Sequence, residues 1–112
     1  MSLKQLSPED QVVIRCCLAF TLQCRELEGE YQTRLGVTED EVQALLKDWP
    51  NVDDALDGST ACLAINGALN EVCNGVRIPE EEWPRWFDVP SAIVLDIFKR
   101  WRLSRGWKPT GI

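Results

Sequence analysis

Ser59-Thr60-Ala61-Cys62-Leu63-Ala64-Ile65-Asn66-Gly67-Ala68-Leu69-Asn70-Glu71-Val72-Cys73-Asn74-Gly75-Val76 decides how the rest of the chain must fold. It carries one charge, Glu71, although 27% of all residues are charged. Cys62, Ile65, Leu69, Val72, Cys73 and Val76 recur at intervals of three and four, the spacing of one helix face. Ala61, Ala64 and Ala68 widen that face with small side chains, over which a neighbouring helix can approach closely. A helix this poor in charge is buried on most sides, so the stretch predicts the central helix of a bundle, about 59–75, with Asp57 or Ser59 as its cap and Gly75 as its stop.

Outward from it, the other segments read as helices too. Ser7-Pro8-Glu9-Asp10 is a helix start: a capping hydroxyl, a proline suited to the first position, and two acids at the positive end of the dipole. Val13, Cys17, Phe20, Cys24 and Leu27 continue one stripe, which predicts a helix to about Glu28, ended near Gly29. Residues 30–35 predict a short helix closed by Gly36. Thr38 and Glu41 form a capping box for a helix through Val42, Leu45, Leu46 and Trp49, stopped by Pro50. Residues 51–58 read as a solvated acidic loop and 78–87 as an irregular segment or single turn. Pro90 opens a last helix carrying Val94, Ile97, Phe98 and Trp101, with Lys99, Arg100 and Arg102 in its final turns. No segment alternates with period two. The fold expected is all-α: a compact helical bundle of four main helices plus one or two short ones around the central helix. The domain is expected over residues 1–103, with 104–112 a loosely ordered basic tail.

Composition narrows the function. At 112 residues the chain is one domain of ordinary size, and 45% hydrophobic content gives it a core. No apolar run approaches the roughly 20 residues of a membrane span. The N-terminus lacks an apolar signal core, so a cytoplasmic location is the default expectation. The net charge of −6 is uneven: residues 1–60 hold five Lys/Arg against twelve Asp/Glu, whereas 97–112 hold five Lys/Arg and no acid. An acidic body favours a cationic partner over nucleic acid, although acidity also serves solubility alone. The five cysteines form no C-x-x-C pair and there is no histidine, so reduced, buried thiols are expected, with no metal and no cofactor.

Four constellations invite a functional reading. Tyr31–Leu46 resembles a helix-turn-helix, yet its second helix would open on Glu39-Asp40-Glu41, three carboxylates facing a polyanion. A structural helix hairpin is the plainer reading. Asp53, Asp54 and Asp57 lack the spacing of a calcium loop. Asn66, Asn70 and Asn74, four apart, form a polar ladder beside the apolar face of the central helix. It serves either as a binding stripe or to bond loop backbone and the ends of other helices. Trp83 and Trp86 follow Glu80-Glu81-Glu82 between Pro79 and Pro84. Three apart, they could share one side of a helical turn as aromatic anchors in a charged rim, or fold back as a lid on the core. With no histidine and no nucleophile elbow or phosphate loop, no catalytic residue is assigned.

Leu6-Ser7-Pro8-Glu9-Asp10, Ile14-Arg15-Cys16-Cys17-Leu18, Leu35-Gly36-Val37-Thr38 with Glu41-Val42, Trp49-Pro50-Asn51-Val52-Asp53, Ala64-Ile65-Asn66-Gly67-Ala68-Leu69-Asn70 and Phe98-Lys99-Arg100-Trp101-Arg102 together resemble a group of small uncharacterised bacterial all-α proteins. Such proteins often have a further Asn where this chain has Gly67, and an aromatic, Pro- and His-containing turn in place of Cys73–Val76. The resemblance implies a single compact cytoplasmic domain and no particular activity. The function expected is therefore a non-enzymatic protein-binding domain, such as an immunity- or antitoxin-like inhibitor of a basic protein. Glu80, Glu81, Glu82, Trp83, Trp86, Asn66, Asn70 and Asn74 are the candidate partner-binding residues. The alternatives are a helix-turn-helix-like nucleic-acid-associated protein using Lys99–Lys108, and an enzyme relying on Asp or Cys. Oligomeric state is not legible.

Overall fold

The computed structural model describes residues 3–107, in which five α-helices follow in order: α1 (Pro8–Gln23), α2 (Tyr31–Leu35), α3 (Glu39–Asp48), α4 (Thr60–Asn70) and α5 (Ser91–Ser104). Among the described residues there is no strand, so the fold is the all-α bundle that the periodicity predicts, with four main helices and the short α2. α4 lies at its centre, packed against α1, α2, α3 and α5. Its residues Ala61, Cys62, Ala64, Ile65, Gly67, Ala68 and Leu69 are all buried. Gly67 lies so near α2 that a Cβ there would stand 3.0 Å from the Leu35 Cα and carbonyl oxygen. No helix among the described residues is long and apolar enough to cross a membrane.

The caps are those the sequence specifies. Ser7 Oγ accepts from the Asp10 amide at 3.1 Å and Ser59 Oγ from the Cys62 amide at 3.2 Å. Thr38 and Glu41 close a reciprocal box, with the Thr38 amide donating to Glu41 Oε1 at 2.8 Å and the Glu41 amide to Thr38 Oγ1 at 3.2 Å. Each satisfies amides that the first helical turn leaves without an intrahelical partner. Gly36 takes the left-handed conformation, φ 82°, that ends α2 without the strain a Cβ would bring.

One helix ends earlier than periodicity predicts, and the central one reaches its expected stop at Gly75 with a change of pitch. α1 stops at Gln23, not Glu28: Cys24 is extended and Arg25–Leu27 form a 3-10 turn. The break turns Leu27 and Tyr31 into the core, both nearly fully buried. There the Tyr31 hydroxyl meets Thr21 Oγ1 at 2.8 Å, while Thr21 Oγ1 donates to the Leu18 carbonyl at 2.6 Å. The central helix is regular only to Asn70 and then widens into a π-helical turn, Glu71–Gly75, closed by the Val76 amide on the Glu71 carbonyl at 2.8 Å. Glu71, the first residue of that turn, has its side chain turned inward, 6% exposed, and ion-paired with Arg34 of α2. Gly75 leaves the room that this needs, since a Cβ there would collide with the Glu71 carboxylate.

The acidic loop is not uniformly solvated. Asp54 is 1% exposed and accepts from the Leu3 amide at 2.9 and 3.0 Å and from Trp101 Nε1 at 3.1 Å. Arg105, its side chain 2% exposed, stands 3.6 Å from Asp54 and 2.7 Å from Asp57. The expected loose tail from 104 is therefore packed as far as it is described. Trp107 meets Trp101 edge-on at 5.4 Å and donates to Asp57 at 3.2 Å. Residues 108–112 of that tail lie outside the described residues.

Candidate functional site

The segment between Val76 and Pro90 joins the π turn to α5, and both of its tryptophans are braced. Glu82 leads into a single 3-10 turn, Trp83–Arg85. Trp83 stacks on Phe87 with centroids 4.3 Å apart and donates from Nε1 to the Val89 carbonyl at 2.7 Å. Trp86 meets Phe20 of α1 edge-on at 5.3 Å. Each ring remains half-buried, so each seals the core with part of its surface and offers the rest to solvent.

The two rings open onto different clefts. Trp83 borders a groove of about 670 Å³ with Val72, Ile78, Pro84 and Pro90, with Glu80 and Ser91 as its polar residues. A further pocket of about 300 Å³ shares Val72, Trp83 and Ser91 with this groove and adds Cys73, Ala92, Val94 and Leu95. Trp86 borders a second cleft of about 580 Å³ towards the end of α1, with Phe20, Cys24, Arg25, Glu26, Arg77, Glu82 and Arg85 among its residues. The shared aromatic patch predicted from the spacing of 83 and 86 is thus divided. Trp83 and Trp86 stand at the two ends of one 3-10 turn, the Trp86 amide donating to the Trp83 carbonyl at 3.0 Å, yet Trp83 stacks on Phe87 while Trp86 meets Phe20 edge-on, and the clefts they border have Ile78 in common.

Glu80, Glu81 and Glu82 are exposed, Glu80 on the Trp83 groove and Glu82 on the Trp86 cleft. The asparagine ladder borders neither. Asn66 Oδ1 accepts from Arg102 Nη1 at 2.9 Å, and Asn74 donates to Asn70 Oδ1 at 3.2 Å. The ladder thus bonds side chains of α5 and of its own helix, not loop backbone.

The π turn contributes Val72 to the groove, and both Val72 and Cys73 to the adjoining pocket at the start of α5. The groove's apolar walls come from residues too scattered in sequence to show periodicity, and the run of glutamate, tryptophan and proline from Pro79 to Trp86 was its local sign. Burial raises the Cys73 thiol to about 11. Cys17 is pushed well up by burial and then by the neighbouring Cys73 and Cys16 thiols. Burial likewise raises Cys16 and Cys62. Among the described residues no cluster of three or more His, Cys, Asp or Glu is arranged to hold a metal ion.

The described chain defines a small all-α globule in which the 76–90 segment borders an apolar groove edged by Glu80 and a cleft lined by three arginines. No family model, curated protein or solved structure matches it.

Proposed function

We propose that the protein is a non-enzymatic protein-binding domain whose groove beside Trp83 receives an apolar anchor from a basic segment of its partner. The observation that carries this reading is the groove itself: a concave apolar surface built by Val72, Ile78, Trp83, Pro84 and Pro90, with Glu80 at its edge and the exposed Glu81 and Glu82 next in sequence. An apolar centre within a charged rim is the anatomy of a protein interface, and the sign of the rim selects a cationic partner. Pro79, Pro84 and Pro90, with the Trp83–Val89 hydrogen bond, pre-organise the segment and lower its ordering cost. An inhibitor of a basic protein, in the manner of an immunity protein or antitoxin, is the narrower form of this proposal.

The alternatives gain less support. The arginines at this end of the chain are occupied: Arg100 pairs with Asp10 and Asp96, each at 2.8 Å, Arg102 bonds Asn66, and Arg105, just past α5, holds Asp54 and Asp57, which leaves the exposed Lys99 as the cation of α5 without an ion pair among the described residues. Arg34 of the helix-turn-helix-like segment is committed to Glu71, and Glu39, Asp40 and Glu41 are exposed at the start of α3. Thiols raised by burial are poor nucleophiles, which weighs against cysteine chemistry.

The test is affinity capture from the native host with wild-type protein and with a Glu80→Lys/Glu81→Lys/Glu82→Lys variant, read by mass spectrometry. A basic protein recovered stoichiometrically by the wild type and lost with the charge-reversed variant is the expected result. A partner retained equally by both would overturn the groove reading.

A further inference from the structure

The cleft beside Trp86 is lined by three arginines and two glutamates. The chain has 12 Lys/Arg against 18 Asp/Glu, and Arg34, Arg100 and Arg105 each hold a carboxylate. Arg25, Arg77 and Arg85 do not: no carboxylate of the described residues stands within 4.0 Å of any of their guanidinium groups. They come from three separate segments, the turn after α1, the loop after the π turn, and the 3-10 turn before Trp86, yet all three border one cleft. Two carboxylates also border it. Glu26 is engaged, accepting from the Arg77 backbone amide at 3.2 Å, and Glu82 is exposed. Folding has brought three arginines that hold no carboxylate to the border of one cleft.

We infer that this cleft is a binding site for an organic monophosphate that carries a flat ring, with the phosphate held by Arg25, Arg77 and Arg85 and the ring against Trp86. Guanidinium groups bind phosphate through paired N–H donors, and several converging on one anion give both affinity and orientation. Trp86 is braced edge-on by Phe20, so it offers a fixed aromatic surface at the same cleft. The volume of about 580 Å³ lies within the usual range for small-molecule sites, about 300–1,000 Å³. The site shares Ile78 with the groove beside Trp83, but its arginines and Trp86 do not line that groove, so the inference does not rest on what the groove binds.

The experiment is a titration of the full-length protein with adenosine monophosphate and with phenyl phosphate, followed by tryptophan fluorescence and by the indole N–H signals in an amide correlation spectrum. Saturable binding of at least one, with the Trp86 indole signal shifting most, is expected. Arg85→Ala and Arg77→Ala, both at exposed positions, should each weaken it at least fivefold with the spectrum otherwise unchanged. Adenosine and inorganic phosphate, each lacking one half of the ligand, should bind at least tenfold more weakly. No saturation by either organic phosphate up to 5 mM, an affinity unmoved by the arginine variants, or inorganic phosphate binding as tightly as the organic compounds would overturn the proposal.

Discussion

Asp54 links elements far apart in the chain. Its two oxygens accept from the Leu3 amide, 51 positions away, and from the Trp101 indole, 47 positions away, with Arg105 3.6 Å off. Removing the carboxylate would leave three buried donors to be satisfied, one of them cationic. Asp54→Ala should therefore cost about 3–5 kcal/mol in denaturant unfolding, the range for breaking a buried pair by deleting one partner. Asp54→Asn keeps an acceptor oxygen and should cost less. A loss below about 1 kcal/mol for the alanine variant would show that the donors find water instead. Nothing local in the sequence separates Asp54 from Asp53 or Asp57, because its role is set by Leu3 and Trp101, which only the tertiary fold brings to it. The capping residues Ser7, Thr38 and Ser59 were legible for the opposite reason: their partners lie three positions on.

At the scale of the helix, patterning predicted existence and type well and the ends less well. α1 ends two residues after Thr21, which meets Tyr31, and the central helix changes from α to π at Glu71, which pairs with Arg34. Periodicity counts apolar residues and cannot register such a pairing. The small residues on α4 were a truer guide, and Gly67 gives a test of sign. In an isolated helix, alanine is better than glycine by about 1 kcal/mol. Here a Cβ would press on Leu35 backbone at 3.0 Å, and backbone yields less readily than the end of a flexible side chain. Gly67→Ala should therefore destabilise, by about 1–3 kcal/mol as overpacking does, where propensity alone would have it stabilise. Equilibrium unfolding of the single variant decides between the two. The groove and the arginine cleft escape sequence reading on the same ground: each draws its walls from several segments, and only the 76–90 connection, rich in proline and tryptophan, marked their neighbourhood.

For the molecule as a whole, the loop between α3 and α4 acts as a clasp for both ends of the described chain. Asp54 holds Leu3 near the start, and Asp54 and Asp57 hold Arg105 and Trp107 near the end. The Arg105 guanidinium lies 5.1 Å from the ring centres of both Trp101 and Trp107 and so joins the aromatic pair to the acidic loop. A chain ending at Ser104 should lose this closure. Its melting temperature should fall by several degrees, since about 1 kcal/mol shifts a domain of this size by roughly 4–8 °C. The pH dependence should change as well. Hydrogen bonds from Arg105 and then Trp107 hold the Asp57 carboxyl below its ordinary value. A carboxyl that is more acidic folded than unfolded contributes stability above its unfolded value, near pH 4, and loses it as the pH falls further, because the unfolded chain then binds the extra proton. Stability of the intact chain should thus decline more steeply below about pH 4 than that of the truncated chain. Denaturant unfolding of both between pH 6 and pH 2.5 measures the difference. Equal melting temperatures and superimposable acid profiles would mean that residues 105–107 rest on the domain without closing it.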